Sequence, residues 1–145
     1  MKFRSATDMH LTKSDKPVFE FGPSMANGVE IEIISTDSST GGFSCILHGK
    51  KNATFEPHLH LAGCEYLILS GALNYRDEVA PAGDSGYESY GSLHEKTVFP
   101  EDTEMLFITH GPILFLDENN EPTEILDSRW IENRIGQEQG QLQTA

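Results

Sequence analysis

The sequence predicts an all-β protein folded as one domain. Short runs in which apolar and polar residues alternate recur at spacings near ten residues. Clusters of Gly, Pro, Asn, Asp and Ser separate them, and no helical periodicity of useful length appears before residue 127. Many short strands at that spacing make a sandwich or a small barrel. A chain of 145 residues is long enough to bury a real core and too short for two large ones.

Residues 1–15 are polar and unpatterned and read as an arm ahead of a domain over residues 16–135. Within it, K-P-V-F-E-F and V-E-I-E-I-I each alternate, so each has one buried and one wet face. S-T-D-S-S-T-G-G is a loop by composition. F-S-C-I-L-H is the next strand, expected to end at His48 before Gly49-Lys50. The segment from Phe55 to Gly71 follows, opened by Pro57, which lacks an N–H and suits a strand start, and closed by a turn at Gly71. A-L-N-Y-R-D completes the first half, and the turn-rich A-P-A-G-D-S-G connects it to the second. There Y-E-S-Y-G-S-L-H, K-T-V-F-P, E-M-L-F-I-T, I-L-F-L-D and T-E-I-L-D read as strands, with N-N-E-P a hairpin-like turn between the last two. Asp127-Ser128 can cap a short helix through Trp130 and Ile135, and residues 136–145 read as a frayed tail.

Ten basic against twenty-three acidic side chains give a formal net charge of −13, which argues against nucleic acid and anionic membranes as partners. The N-terminus has no apolar run of signal-peptide length, and no stretch approaches transmembrane length. Cys45 and Cys64 form no C-x-x-C pattern and suggest no disulfide scaffold, so a cytoplasmic setting is expected. Cys45 alternates with apolar neighbours as a core residue, and Cys64 stands beside the H-x-H turn, where burial or the lining of a site would each explain it.

Chemistry concentrates in F-E-P-H-L-H-L-A-G-C-E-Y. His58 and His60 are two apart in a strand, so both side chains leave the same face, their Cα atoms roughly 6.6 Å apart. Imidazoles at that separation can lean onto one metal ion. A bare H-x-H is more often two exposed or hydrogen-bonded histidines. The odds shift with His94, which closes the glycine-punctuated G-Y-E-S-Y-G-S-L-H. His10, in the arm, and His110, before Gly111-Pro112, look incidental, and His48 has no evident partner.

The pattern H-L-H-(x4)-E-(x5)-G, followed later by G-(x2)-H, resembles the two histidine motifs of the cupin superfamily. This implies a double-stranded β-helix, or jelly-roll barrel, with a metal in its mouth. P-H-L-H-L-A-G-C-E-Y, G-Y-E-S-Y-G-S-L-H-E-K-T-V-F-P and G-P-I-L-F-L-D further resemble the acetylacetone-cleaving (β-diketone) dioxygenases, on the cupin branch similar to the ChrR-type domains. The resemblance implies Fe(II) held by His58, His60 and His94, with polar residues around it matching Tyr66, Arg76, Glu88 and Thr97. Zinc or nickel can take such a site on purification, since both generally bind more tightly than Fe(II).

Glu88 would then hydrogen-bond a ligand imidazole and fix its tautomer, unless it is a solvated loop carboxylate. Arg76 would offer its fork to a substrate oxygen or a carboxylate, or else form a surface ion pair. Tyr66 and Thr97 would be pocket donors, or ordinary strand residues. The family's second motif usually has Pro where Ser89 stands and Asn where Val98 stands, and Met105 and Thr109 replace aromatic residues of the substrate approach. Glu65 holds the position of a fourth ligand in many cupins. Neighbouring strand residues face opposite ways, so Glu65 and Tyr66 cannot both point inward, and a three-histidine site with Glu65 turned away is expected.

Three neutral imidazoles leave Fe(II) its full +2 charge, and a β-diketone binding as its enolate, a bidentate monoanion, brings this to +1. The resemblance thus implies dioxygen-dependent C–C cleavage of an enolisable dicarbonyl to two carbonyl products. The alternatives are a non-catalytic metal- or ligand-sensing cupin, or another cupin enzyme such as an isomerase or an aryl-ketone dioxygenase. Sensors of the ChrR branch are usually joined to a regulator-binding domain, which is not expected in a chain that ends soon after its barrel, and this disfavours the sensor. A homodimer or homotetramer is expected, with the N-terminal strands covered across a two-fold axis.

Overall fold

The structure, a computed structural model, describes residues 10–75 and 77–144. The expected strand-rich architecture is present. After a 3-10 turn at Lys13–Asp15, the chain forms β1 (Val18–Glu20), β2 (Ala26–Thr36), β3 (Phe43–Phe55), β4 (His58–His60), β5 (Cys64–Ser70), β6 (Ala72–Tyr75) and β7 (Glu78–Pro81). It continues with β8 (Ser85–Glu88), β9 (Leu93–His94), β10 (Thr97–Val98), β11 (Thr103–Thr109), β12 (Ile113–Leu116) and β13 (Pro122–Leu126), and ends in the helix α1 (Ser128–Thr144).

A large sheet has the order β1-β2-β3-β11-β5-β8, with β10 pairing the far end of β3. A smaller sheet has the order β13-β12-β4-β9, and β6 pairs β7 as a separate ribbon. All these pairings are antiparallel. The sheets face each other in the jelly-roll manner without closing into one continuous sheet. Alternation drives this: β11 buries Thr103, Met105, Phe107 and Thr109 and leaves the residues between them on the wetter face. Ile31 and Ile33 of β2, Cys45 of β3 and Ile68 of β5 complete the interior of the large sheet. A fully buried side chain of this size contributes about 1.5–3 kcal/mol.

Three local expectations are revised. First, β3 does not end at His48 but runs on to Phe55, because a ring takes the place of a turn: Phe99 lies over Gly49, where an added Cβ would come within 2.7 Å of it. His48 is therefore in mid-strand and has partners, Glu32 at 3.0 Å and Glu104 at 3.4 Å, on the strands to either side. Second, the connector A-P-A-G-D-S-G contributes to two strands, β7 and β8, joined by a tight turn at residues 82–84. Third, the C-terminal helix continues past Ile135 to Thr144. Asp127 caps it by accepting the Trp130 N–H at 2.9 Å. Ile131 and Ile135, one turn apart, are buried, and Trp130 stacks on Phe21, which itself lines the cavity between the sheets. The expected N-N-E-P turn is present, with the Asp117 carboxylate accepting the N–H groups of Asn119 and Glu121.

Candidate metal centre

The cavity between the sheets is walled by Phe43, Leu47, Met105 and Phe107 from the large sheet and by Ile113 and Phe115 from the small one. Its free volume is about 70 Å³, room for several waters or one compact organic molecule. Into this apolar space project His58, His60, Glu88 and His94.

His58 and His60 share one face of β4, and antiparallel pairing sets His94 of β9 directly opposite His58. The glycine-punctuated loop before His94 is tied to the same strand, since His60 N–H donates to the Ser92 carbonyl and Gly91 N–H to the His60 carbonyl. The three rings have centroids 5.0–5.1 Å apart, and their nearest ring nitrogens all lie within 4.8 Å of one another. His58 Nδ1–H donates to the Glu56 carbonyl at 2.8 Å, which leaves Nε2 as the lone-pair nitrogen on the other side of the ring. Burial pushes the His58 imidazole down to about 4 against the opposing pull of that hydrogen bond, so it is neutral at pH 7, as a ligand must be.

Glu88, at the end of β8, is only 8% exposed. Its Oε2 lies 2.8 Å from His60 Nε2 and also contacts His94 Nε2. Burial alone would raise its carboxyl, but the two imidazoles outweigh that and hold it down to about 2. Yet Glu88 Oε2 and both nitrogens of His60, all buried, make no aligned hydrogen bond within the chain. A convergent set of buried imidazole nitrogens is what a divalent cation satisfies, and such donors suit Fe(II) and zinc alike. Cys64 faces Glu88 across the β5–β8 ladder, and its thiol is pushed up by burial and by that carboxylate.

A family model described as the ChrR cupin-like domain matches residues 10–114. The chain belongs to this cupin family. The cupin is 26% identical over 98 residues to the acetylacetone-cleaving enzyme of Acinetobacter johnsonii, a match over 63% of this chain and 64% of that enzyme, so just under two thirds of the relative's length is spanned. The crystal structure of an acetylacetone dioxygenase from the same organism matches with a TM-score of 0.77 at 21% identity, over 92% of this chain and 93% of that one. An RmlC-like cupin from Ralstonia eutropha matches with a TM-score of 0.76 at 22% identity, over 91% and 85% of the two chains. At these identities the structural likeness speaks for the fold.

Of the residues singled out in the sequence, the cupin brings His58, His60, His94, Glu88, Tyr66 and Thr97 around one cavity. Arg76 lies outside the described residues. Tyr66 is buried, and its ring covers Gly86, its partner on β8. Thr97 Oγ1 donates to the Glu95 carbonyl at 3.3 Å. Glu65 is exposed while its neighbours Cys64 and Tyr66 are buried, in the alternation expected of β5. Met105 lines the cavity, whereas Thr109 is buried away from it and donates to the Gly111 carbonyl at 2.8 Å. What sequence reasoning missed is that Glu88 meets two imidazoles instead of one. The register of β8 against β5 carries that information, and β8 begins inside a segment that reads as a turn.

Proposed function

We propose that this cupin is an Fe(II)-dependent dioxygenase that cleaves a C–C bond of an acetylacetone-like β-diketone or a related enolisable dicarbonyl. The observation that carries the reading is the convergence of three imidazoles, from two paired strands, inside a small cavity whose other walls are apolar. The named activity of the Acinetobacter relative supports it.

In this reading His58, His60 and His94 would hold the metal, and Fe(II) would supply Lewis acidity toward an enolate and the activation of dioxygen. Glu56 contributes through its carbonyl, which fixes the His58 tautomer so that Nε2 is free to bind. Phe43, Met105, Phe107 and Phe115 take the alkyl ends of the substrate and keep water out, which strengthens every polar contact inside. Tyr66 and Thr97 line the cavity, Tyr66 as a hydroxyl donor to a substrate oxygen and Thr97 as a second that would donate by turning from the Glu95 carbonyl, and Arg76 is assigned to the same polar set.

Atom balance gives the test. Cleavage by one dioxygen places one new oxygen on each of the two carbonyl fragments. With isotopically labelled dioxygen and acetylacetone, both fragments carry label. Label in one fragment alone when the carbonyl product is reduced at once, before its oxygen exchanges with water, or products formed without dioxygen, would contradict a dioxygenase.

A further inference from the structure

The large sheet is apolar on both of its faces. A sheet with one wet face alternates apolar and polar residues, whereas strands covered on both sides read as unbroken apolar runs. Cys45-Ile46-Leu47 on β3, Met105-Leu106-Phe107-Ile108 on β11 and Tyr66-Leu67-Ile68-Leu69 on β5 are such runs. Cys45, Phe107 and Tyr66 turn inward and are buried, so by strand parity Ile46, Leu106 and Leu67 turn outward. Register sets these three side by side, in a row from Val18 on β1 through Glu32, Ile46, Leu106 and Leu67 to Ser85 on β8. Val18, Leu67, Leu69 and Tyr87 are exposed on this face, and Ile46, Leu106 and Ile108 are half-buried.

Area and charge identify what fits it. Six strands at about 4.8 Å and five residues at about 3.4 Å make a face of about 29 by 17 Å, so two such faces bury about 1,000 Å², enough for a specific interface. A face this broad and shallow suits a protein surface, since small molecules take concave sites. The net charge of −13 disfavours an anionic lipid surface. A second copy carries the same charge, so it docks well only where carboxylates avoid one another. A two-fold axis along the middle row achieves this, because it lays each strand antiparallel to its own copy. Glu30, His48 and Glu104, in the row on one side, then meet Ser35, Ser44 and Ile108, in the row on the other, while Leu69 meets Glu65. Glu32, which would meet itself, is already held by His48 at 3.0 Å and Lys16 at 3.8 Å.

We propose that the outer face of the large sheet is where two copies of this cupin pack, face to face, about a two-fold axis that crosses the strands along the middle row. Ile46, Leu106 and Leu67 each pack on their own copies, as an isologous contact requires. The contact leaves the β1 edge free for the strand pairing expected there, and it does not depend on the metal-centre reading.

The mass in solution tests it. Light scattering behind a sizing column is recorded for the parent and for a Leu67→Glu, Leu106→Glu double variant, with circular dichroism to verify the fold. The variant brings four carboxylates into each contact, so its mass is half the parent's. An unchanged mass in a folded variant would overturn the proposal. So would a parent with the mass of one chain, which would assign the face to a different protein. Should the double variant fail to fold, Leu67→Cys decides. Cys45 and Cys64 are buried, so a short bifunctional maleimide reacts at position 67 alone. It joins Leu67→Cys into a covalent dimer and leaves Glu118→Cys, on the exposed turn between β12 and β13, as single chains. Single chains from both variants, or equal crosslinking of both, would refute the face-to-face pairing.

Discussion

His58 and His94 are partners across the β4–β9 ladder, with their rings stacked at a centroid separation of 5.1 Å. β4 and β9 share only two register pairs, and in the proposed reading a metal held by both histidines would tie β9 to the sheet as well. His94→Ala is therefore expected to lower divalent-metal affinity by at least 100-fold, more than the 10–100-fold typical of residues outside the ligand set. Chelator competition measures this, and a loss below tenfold would count against His94 as a ligand.

Glu65 provides the opposite case. Its side chain is exposed on the outer face of β5. Glu65→Gln should leave metal affinity and turnover within about twofold of the parent, in line with the small effects of surface changes. A tenfold drop in metal affinity would mean that β5 turns its other face to the site.

Gly86 is needed under Tyr66. A Cβ there would come within 2.5 Å of the ring. Gly86→Ala forces Tyr66 off its place and should cost about 1–3 kcal/mol, as overpacking does. Thermal unfolding followed by circular dichroism would show the loss, and adding Tyr66→Ala should recover part of it. An unchanged midpoint for Gly86→Ala alone would refute the packing.

Acid should weaken the metal-free protein through His58. Its imidazole titrates near 4 when folded, against 6.5 for an unperturbed group. Between those values the unfolded chain holds the extra proton, so stability falls as pH drops from 6.5 towards 4 and is unaffected above that window. The full effect is about 3 kcal/mol at most. His58→Gln lacks this titration, so its urea midpoint should decline less steeply over that range. Equal slopes for parent and variant would contradict the shift.

The proposed assembly concerns β1, three residues long and at one edge of the large sheet, with Val18 exposed. Pairing with a second copy is one way to cover such an edge. Calibrated sizing should give a dimer or tetramer, and elution at the mass of one chain would end that reading.

Much of the site was legible because two rules with little freedom govern it. Parity along a strand puts His58 and His60 on one face, and the same parity separates Glu65 from Tyr66. What stayed hidden depends on register between strands distant in sequence. Glu88 is expected to serve one ligand imidazole, and that it meets two emerges only when β8 is seen paired with β5, while His48 gains Glu32 and Glu104 only through its neighbours on β2 and β11. Gly49-Lys50 reads as a turn until Phe99 is found seated over the glycine. These are long-range contacts, and local composition does not encode them.

The central claim, a metal-dependent dioxygenase, is tested most directly with an oxygen electrode. Metal-stripped protein is reloaded with Fe(II) under anaerobic conditions and then given acetylacetone and dissolved oxygen, beside a His58→Ala, His94→Ala double variant. Substrate-dependent oxygen uptake by the parent and none by the variant is the predicted result. No uptake by a parent shown to hold Fe(II), or equal uptake by both proteins, would contradict it.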